Sequence, residues 1–357
     1  AAIATASPAA QPAAPASPAP PTIEQLFGLP EVRQPRLSPD GKRIAFLFPH
    51  ERRLALGVFD RASGESRMIL RGEDESLVSF FWKGDERIVF LADVGGNESF
   101  FIGSTDLSGR NVLRLAESQR IEDNLVGNVA NILDELPADP SRILVAGYFA
   151  ENIENATFLG GAAVVARLNI LNRARSPVLE FKESDRHVLL LGDNRGALRI
   201  RGRLVRREVI WEHRPEDGAT FREIARHPFH GYQEDWQPLG FAADNRTLWL
   251  ISRQKHDRGA LHAYDTATGQ LGDPLFTPAE GELDDALITT PDRSRLLGLV
   301  YETDRRKYHW FDADRAALQA KLENTFSGSD VRVGEAHPQL PAGEADRKST
   351  RLNSSHV

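Results

Sequence analysis

The sequence predicts an all-β fold, a β-propeller with about six recognisable four-stranded blades, and three observations carry that prediction. An Asp-centred turn returns six times, a short apolar run of strand length follows each turn, and helical stretches are scarce. The first unit shows the pattern most plainly. In "LSPDGKRIAFLF", residues 37 to 48, Ser38, Pro39, Asp40 and Gly41 carry type I turn chemistry. Proline presets φ, aspartate bonds the backbone beside it, and glycine takes the left-handed position. Ile44 to Phe48 is too short for a helix and is flanked by turn formers, so it reads as a buried strand.

The same turn returns in "WKGDERIVFLA" at Trp82, "LPADPSRILVAGY" at Leu136, "LLGDNRGALRIRG" at Leu190, "FAADNRTLWLIS" at Phe241 and "TTPDRSRLLGLVY" at Thr289. The turn aspartates Asp40, Asp85, Asp139, Asp193, Asp244 and Asp292 lie 45, 54, 54, 51 and 48 residues apart. Within the first unit four strands are predicted, Val32 to Leu37, Arg43 to Phe48, Leu54 to Phe59 and Arg67 to Leu70, the last two joined by "DRASGE". The fifth unit repeats that layout, with "LHAYDTATGQ" in the place of "LGVFDRASGE". One blade of four short strands cannot cover both its faces and must bury them on its neighbours, so a period near fifty indicates radial repetition. A long β-sandwich with coincidental turn spacing is the alternative.

Ahead of the first blade, residues 1 to 21 hold ten Ala and six Pro and no charge, a composition that reads as an extended tether. Its prolines rule out a spanning helix, and the small residues of "AAIATASPAA" resemble what remains beside a secretory cleavage site, which makes export an expectation. A flexible linker is the other reading. Thr22 to Gly28 is predicted as a short helix, with Thr22 as N-cap, Gln25 at the capping-box position, Gly28 as C-cap and Pro30 beyond. The 357-residue chain is long enough to bury a substantial core. Its net charge of −7 is spread along the chain, which gives binding to nucleic acid no compositional support. The absence of cysteine excludes disulfides, thiolate metal sites and a cysteine nucleophile.

The stretch "TIEQLFGLPEVRQPRLSPDGKRIAFLF" resembles the start of bacterial prolyl oligopeptidase family serine peptidases, the group containing dipeptidyl and acylaminoacyl peptidases. Its "SPDG" turn also resembles TolB-like propellers, which usually lack this lead-in. The resemblance covers residues 22 to about 325. It implies a propeller that precedes an α/β-hydrolase domain, gates peptide access to it, and leaves Ser, Asp and His to that second domain. The G-x-S-x-G elbow is missing from this sequence. Gly64-Glu65-Ser66-Arg67-Met68 comes nearest and lacks the second glycine, so Ser66 reads as a polar residue after a hairpin turn. No catalytic residue is therefore assigned to this chain, and peptide substrates are expected to act through the hydrolase domain.

The expected organisation is a linker over 1–21, a partial seven- or eight-bladed propeller over 22–345, and a foreign tail over 346–357. Its residues 347 to 357, "RKSTRLNSSHV", drop the strand pattern and resemble a translated adaptor sequence; a disordered native tail is the alternative. A stand-alone TolB-like propeller that binds a protein in the periplasm is the second functional reading. An incomplete ring would leave strand edges unpaired, so self-association is expected.

Other constellations carry less. In "LRIRGRLVRRE", Arg199, Arg201 and Arg203 alternate onto one strand face, a row suited to a carboxylate or an acidic partner domain, and read by default as a solvated face. His227, His230, Glu234 and Asp235 have zinc-ligand chemistry, yet the extended spacing would aim the two imidazoles apart, so the segment reads as a loop. Glu282, Asp284 and Asp285 lack the spacing of a calcium loop and read as a charged connection between blades. Glu151 and Glu154 are the least implausible acidic pair for a substrate's N-terminus, a role the family resemblance suggests. No metal or cofactor set is legible.

Overall fold

The computed structural model describes residues 31–96, 99–121, 124–127, 129–148, 163–181, 186–230, 235–254, 258–328, 331 and 333. Six antiparallel blades form a ring, a β-propeller. Blade 1 contains β1 (Arg33–Leu37), β2 (Arg43–His50), β3 (Arg53–Asp60) and β4 (Ser66–Leu70). Blade 2 contains β5 (Glu75–Trp82), β6 (Arg87–Val94), β7 (Ser99–Asp106) and β8 (Leu113–Ile121), extended by β9 (Asn124–Gly127). Blade 3 contains β10 (Val129–Asp134), β11 (Arg142–Tyr148), β12 (Ala163–Asn169) and β13 (Arg175–Phe181). Blade 4 contains β14 (His187–Gly192), β15 (Leu198–Val205), β16 (Glu208–His213) and β17 (Arg222–Pro228). Blade 5 contains β18 (Trp236–Phe241), β19 (Thr247–Ser252), β20 (Ala260–Asp265) and β21 (Gln270–Phe276). Blade 6 has three strands among the described residues, β22 (Glu282–Thr289), β23 (Leu296–Glu302) and β24 (Arg306–Trp310), followed by helix α1 (Ala313–Thr325).

Strands within each blade pair in sequence order, as hairpin-connected antiparallel neighbours must. All six predicted turn aspartates fall in the same place, the turn joining the first and second strands of a blade. In blade 1 the turn chemistry is as the sequence predicts: Gly41 has φ +69° and donates its N–H to the Ser38 carbonyl at 2.8 Å, while Asp40 Oδ1 accepts from Lys42 N at 3.0 Å. The strands of blade 1 lie within two residues of their predicted bounds.

The core is divided between blades. Leu47 and Leu56 of blade 1 pack with Phe80, Ile88 and Phe90 of blade 2. Phe81, Val89 and Ile102 meet Ile143, Val145 and Leu168 of blade 3, and Leu144 and Val165 meet Leu198 of blade 4. Ile200 and Trp211 meet Trp236 and Leu250 of blade 5, whose Ile251 and Leu261 meet Leu283 and Leu299 of blade 6. Five such interfaces join six blades in order, and among the described residues no comparable cluster joins blade 6 to blade 1. The predicted burial of blade faces on their neighbours is thus the organising interaction, supplied by the roughly 25 cal/mol gained per Å² of apolar area removed from water. Close strand approach needs glycine where a large ring crosses: a Cβ on Gly103 would sit 2.3 Å from the ring of Phe90, its cross-strand partner.

Two elements differ from the sequence reading. Helix α1 was not anticipated. Asp312 caps it, accepting from Arg315 N at 3.1 Å, and Trp310, Leu318, Leu322 and Phe326 pack with Val331 and Val333. The "EGELDDA" segment is no connection: Glu282 to Asp285 open strand β22, and the Glu282 carboxylate is offset by Arg253 Nη2 at 3.3 Å. The predicted helix at Thr22–Gly28, the linker, the pair Glu151 and Glu154, Glu234 and the tail lie outside the described residues.

Candidate functional site

The first strands of blades 3 to 6 pack successively on one another, β10 on β14, β14 on β18 and β18 on β22, so these are the strands nearest the axis. The first strand of every blade ends in its Asp-centred turn, so the six turns gather on one face. A cleft of about 360 Å³ opens there, lined by Arg36 of β1, Ser79, Phe80 and Phe81 of β5, Leu91 of β6, Ile132 to Asp134 of β10, Glu135, and Arg293 from the turn of blade 6. Its floor is apolar and its rim charged, the composition expected of a ligand cleft.

The rim residues tie together blades that are not neighbours. Arg293 Nη1 donates to Asp134 Oδ2 at 2.6 Å, linking blade 6 to blade 3 across 159 residues of sequence. Asp134 is 7% exposed, and its other oxygen accepts from Leu136 N at 2.7 Å. Lys83, in the blade 2 turn, is buried and donates its ammonium to the carbonyls of Glu135 and Leu136, the latter at 2.7 Å. Burial pushes the Lys83 ammonium down to about 8, against the opposing pull of Asp139, Glu135 and Asp134. Arg36 Nη1 lies 4.0 Å from Glu135 Oε1, and its backbone carbonyl accepts from the indole of Trp82 at 2.9 Å.

Arg293 stands where the turn repeat normally puts a residue tolerant of left-handed backbone. Gly41, Gly196, Asn245 and Arg293 all have positive φ, +69°, +74°, +53° and +56°, and each donates its N–H to the carbonyl three residues earlier. Glycine and asparagine take that conformation at little cost, whereas arginine is strained by about 1 kcal/mol. Blade 6 keeps the strained geometry and directs a guanidinium to Asp134. The sequence reading passed over Arg293 and Asp134. The signal available was "TPDR" in register with "SPDG", an arginine in the glycine column.

The residues singled out from sequence lie elsewhere. The alternation of Arg199, Arg201 and Arg203 is present, but their face is neither solvated nor open to a partner. Arg201 and Arg203 both donate to Glu212 Oε2 at 2.7 Å, and Arg199 donates to Asp193 at 2.9 Å and Asp217 at 3.1 Å. Burial pushes the Glu212 carboxyl up, yet hydrogen bonds from Arg203 and Arg201 hold it below the usual carboxylate range. Asp217 also receives Arg167 at 3.3 Å, with Arg214 3.6 Å away. His227 belongs to strand β17 and not to a loop; it is buried against Trp236, with ring centroids 5.4 Å apart. The two imidazoles do not diverge: His227 Nδ1 and His230 Nε2 lie 3.9 and 3.7 Å from Asp235 Oδ2, because the chain returns to start β18 beside the end of β17. Among the described residues no three His, Asp or Glu side chains are grouped to hold a metal ion. Ser66 is exposed at the start of β4.

The fold and the rim define the class of protein as a β-propeller with a charged axial cleft. No protein-family model matches the sequence, and no curated protein matches it. Among solved structures, prolyl oligopeptidase B from Galerina marginata, bound to a 35mer hydrolysis and macrocyclization substrate, is similar with a TM-score of 0.53 at 9% identity, over 79% of this chain and 42% of that one. Its apo form gives 0.52 at 7% identity over the same shares. TolB from Acinetobacter baumannii gives 0.32 at 17% identity, over 68% of this chain and 55% of that one. This chain thus spans less than half the length of prolyl oligopeptidase B, and the likeness is one of fold. No helix among the described residues is long and apolar enough to cross a membrane.

Proposed function

We propose that this chain is the noncatalytic propeller region of an exported prolyl oligopeptidase family serine peptidase, which gates peptide access to a downstream hydrolase domain carrying Ser, Asp and His. The observation that carries this reading is the axial cleft, held by charged contacts from blades 1, 2, 3 and 6. A cleft of about 360 Å³ crossed by an ion pair between non-neighbouring blades is small beside a folded domain, which supports a gate for short or extended peptides. The lead-in "TIEQLFGLPEVRQPRLSPDG" and the propeller fold shared with prolyl oligopeptidase B support the same reading. The Ala- and Pro-rich residues 1–21 support a periplasmic or secreted setting.

The test is the gene downstream of the Gly343 codon. An in-frame G-x-S-x-G elbow followed by Asp and His is the expected outcome, and the purified 357-residue chain is expected to leave fluorogenic peptides uncleaved. A stop codon near residue 345 overturns this reading and favours a stand-alone protein-binding propeller. Turnover by the 357-residue chain that a serine-directed inhibitor abolishes also overturns it.

A further inference from the structure

Arg36 and Arg293 front the same cleft with 37% and 29% of their side chains exposed. Each guanidinium carries several N–H donors in a planar fork matched to a carboxylate. Little of that capacity is spent. Arg293 makes one side-chain hydrogen bond, to Asp134, and Arg36 has only Glu135 at 4.0 Å, outside hydrogen-bond reach; among the described residues neither guanidinium has another partner. The cleft is lined by Arg36 and Arg293 against Asp134 and Glu135, while Lys83 lies buried behind it and spends its ammonium on the carbonyls of Glu135 and Leu136. Behind the rim, partly exposed Leu91 and Ile132 are apolar and rest on the buried Phe80 and Phe81.

Two guanidinium forks with unspent donors beside apolar side chains suit a ligand with one carboxylate and one apolar group. We infer that the axial cleft binds the free carboxylate of an apolar amino acid or peptide C-terminus, gripped by Arg36 and Arg293 with its side chain over Leu91 and Ile132. Inorganic phosphate shares the anionic chemistry but has nothing to place on the floor. The site stands on the cleft geometry alone, so its failure leaves the proposed peptidase role to be decided by the downstream gene.

The experiment is calorimetric titration of the 357-residue chain with N-acetyl-leucine, N-acetyl-leucinamide and inorganic phosphate. N-acetyl-leucine is expected to bind, with the amide and phosphate each weaker by about tenfold or more, since a charge-assisted guanidinium bond is lost in one and apolar burial in the other. Arg36→Gln is the informative variant, because its nearest acid is not hydrogen-bonded and the Trp82 contact uses its backbone. It is expected to weaken N-acetyl-leucine about tenfold while leaving the unfolding midpoint in place, with Arg36→Lys intermediate and Glu135→Gln binding severalfold tighter. Equal binding of acid and amide, phosphate binding as tightly as the acid, no binding of the acid, or unchanged affinity in Arg36→Gln would each overturn the inference.

Discussion

The turn of blade 1 and the turn of blade 6 share one backbone and differ in purpose. Ser38 to Gly41 spends its side chains on itself and one backbone N–H on the neighbouring turn: Asp40 Oδ1 accepts from Ser38 and Lys42, and Asp40 N donates to Asp85 Oδ1 at 2.7 Å. Thr290 to Arg293 keeps the same N–H to carbonyl closure at 2.8 Å, yet puts arginine in glycine's left-handed position and bonds it to Asp134 of a non-neighbouring blade. Left-handed arginine is not unusual in this chain, since Arg52, Arg173 and Arg206 share it; what sets Arg293 apart is that its guanidinium is bonded to a blade that is not its neighbour.

The sharpest way to break the comparison is Asp134→Ala. It strips Arg293 of its bonded acid and leaves Leu136 N without its acceptor, so a loss of about 3 kcal/mol is expected from urea unfolding, at the low end for a buried pair because Arg293 is part-exposed. Arg293→Gly should cost less, about 1 to 2 kcal/mol, since relief of the positive φ offsets part of the lost ion pair. Gly41→Ala tests the other turn and should cost about 1 kcal/mol from φ alone, without changing any cross-ring contact. A smaller effect concerns pH. Burial lowers the Lys83 ammonium to about 8, so between there and the ordinary lysine value near about 10 the unfolded chain holds a proton that the folded one has shed. Stability from this group therefore rises with pH through that window and is lost as pH falls through about 8. The stability gap between wild type and Lys83→Met should widen from about pH 8 to about pH 10, and a constant gap would show that Lys83 titrates normally.

The fold was legible because its signals are local. Each Asp-centred turn fixes a chain reversal within four residues, and the apolar run after it is long enough to be a strand, so all six turns fall where the spacing puts them. What escaped was non-local or a departure from the repeat. Arg293 and Asp134 are 159 residues apart, and only the radial arrangement of the blades brings them together. Helix α1 follows β24 where the repeat alone would place a fourth strand, and its cap Asp312 is a local signal outside that repeat. The arginine row of β15 alternates as predicted, yet its partners Glu212 and Asp217 come from β16 and the turn beyond it, a pairing that the strand alone does not show.

The most direct test is a double-mutant cycle on Arg293→Gln and Asp134→Asn, read by urea unfolding of the 357-residue chain. A bond that joins blade 6 to blade 3 across the axis predicts coupling of about 1 kcal/mol or more between the two substitutions. Additivity within about 0.3 to 0.5 kcal/mol would mean that the two side chains do not share a bond and that the charged axial mouth is not built as described.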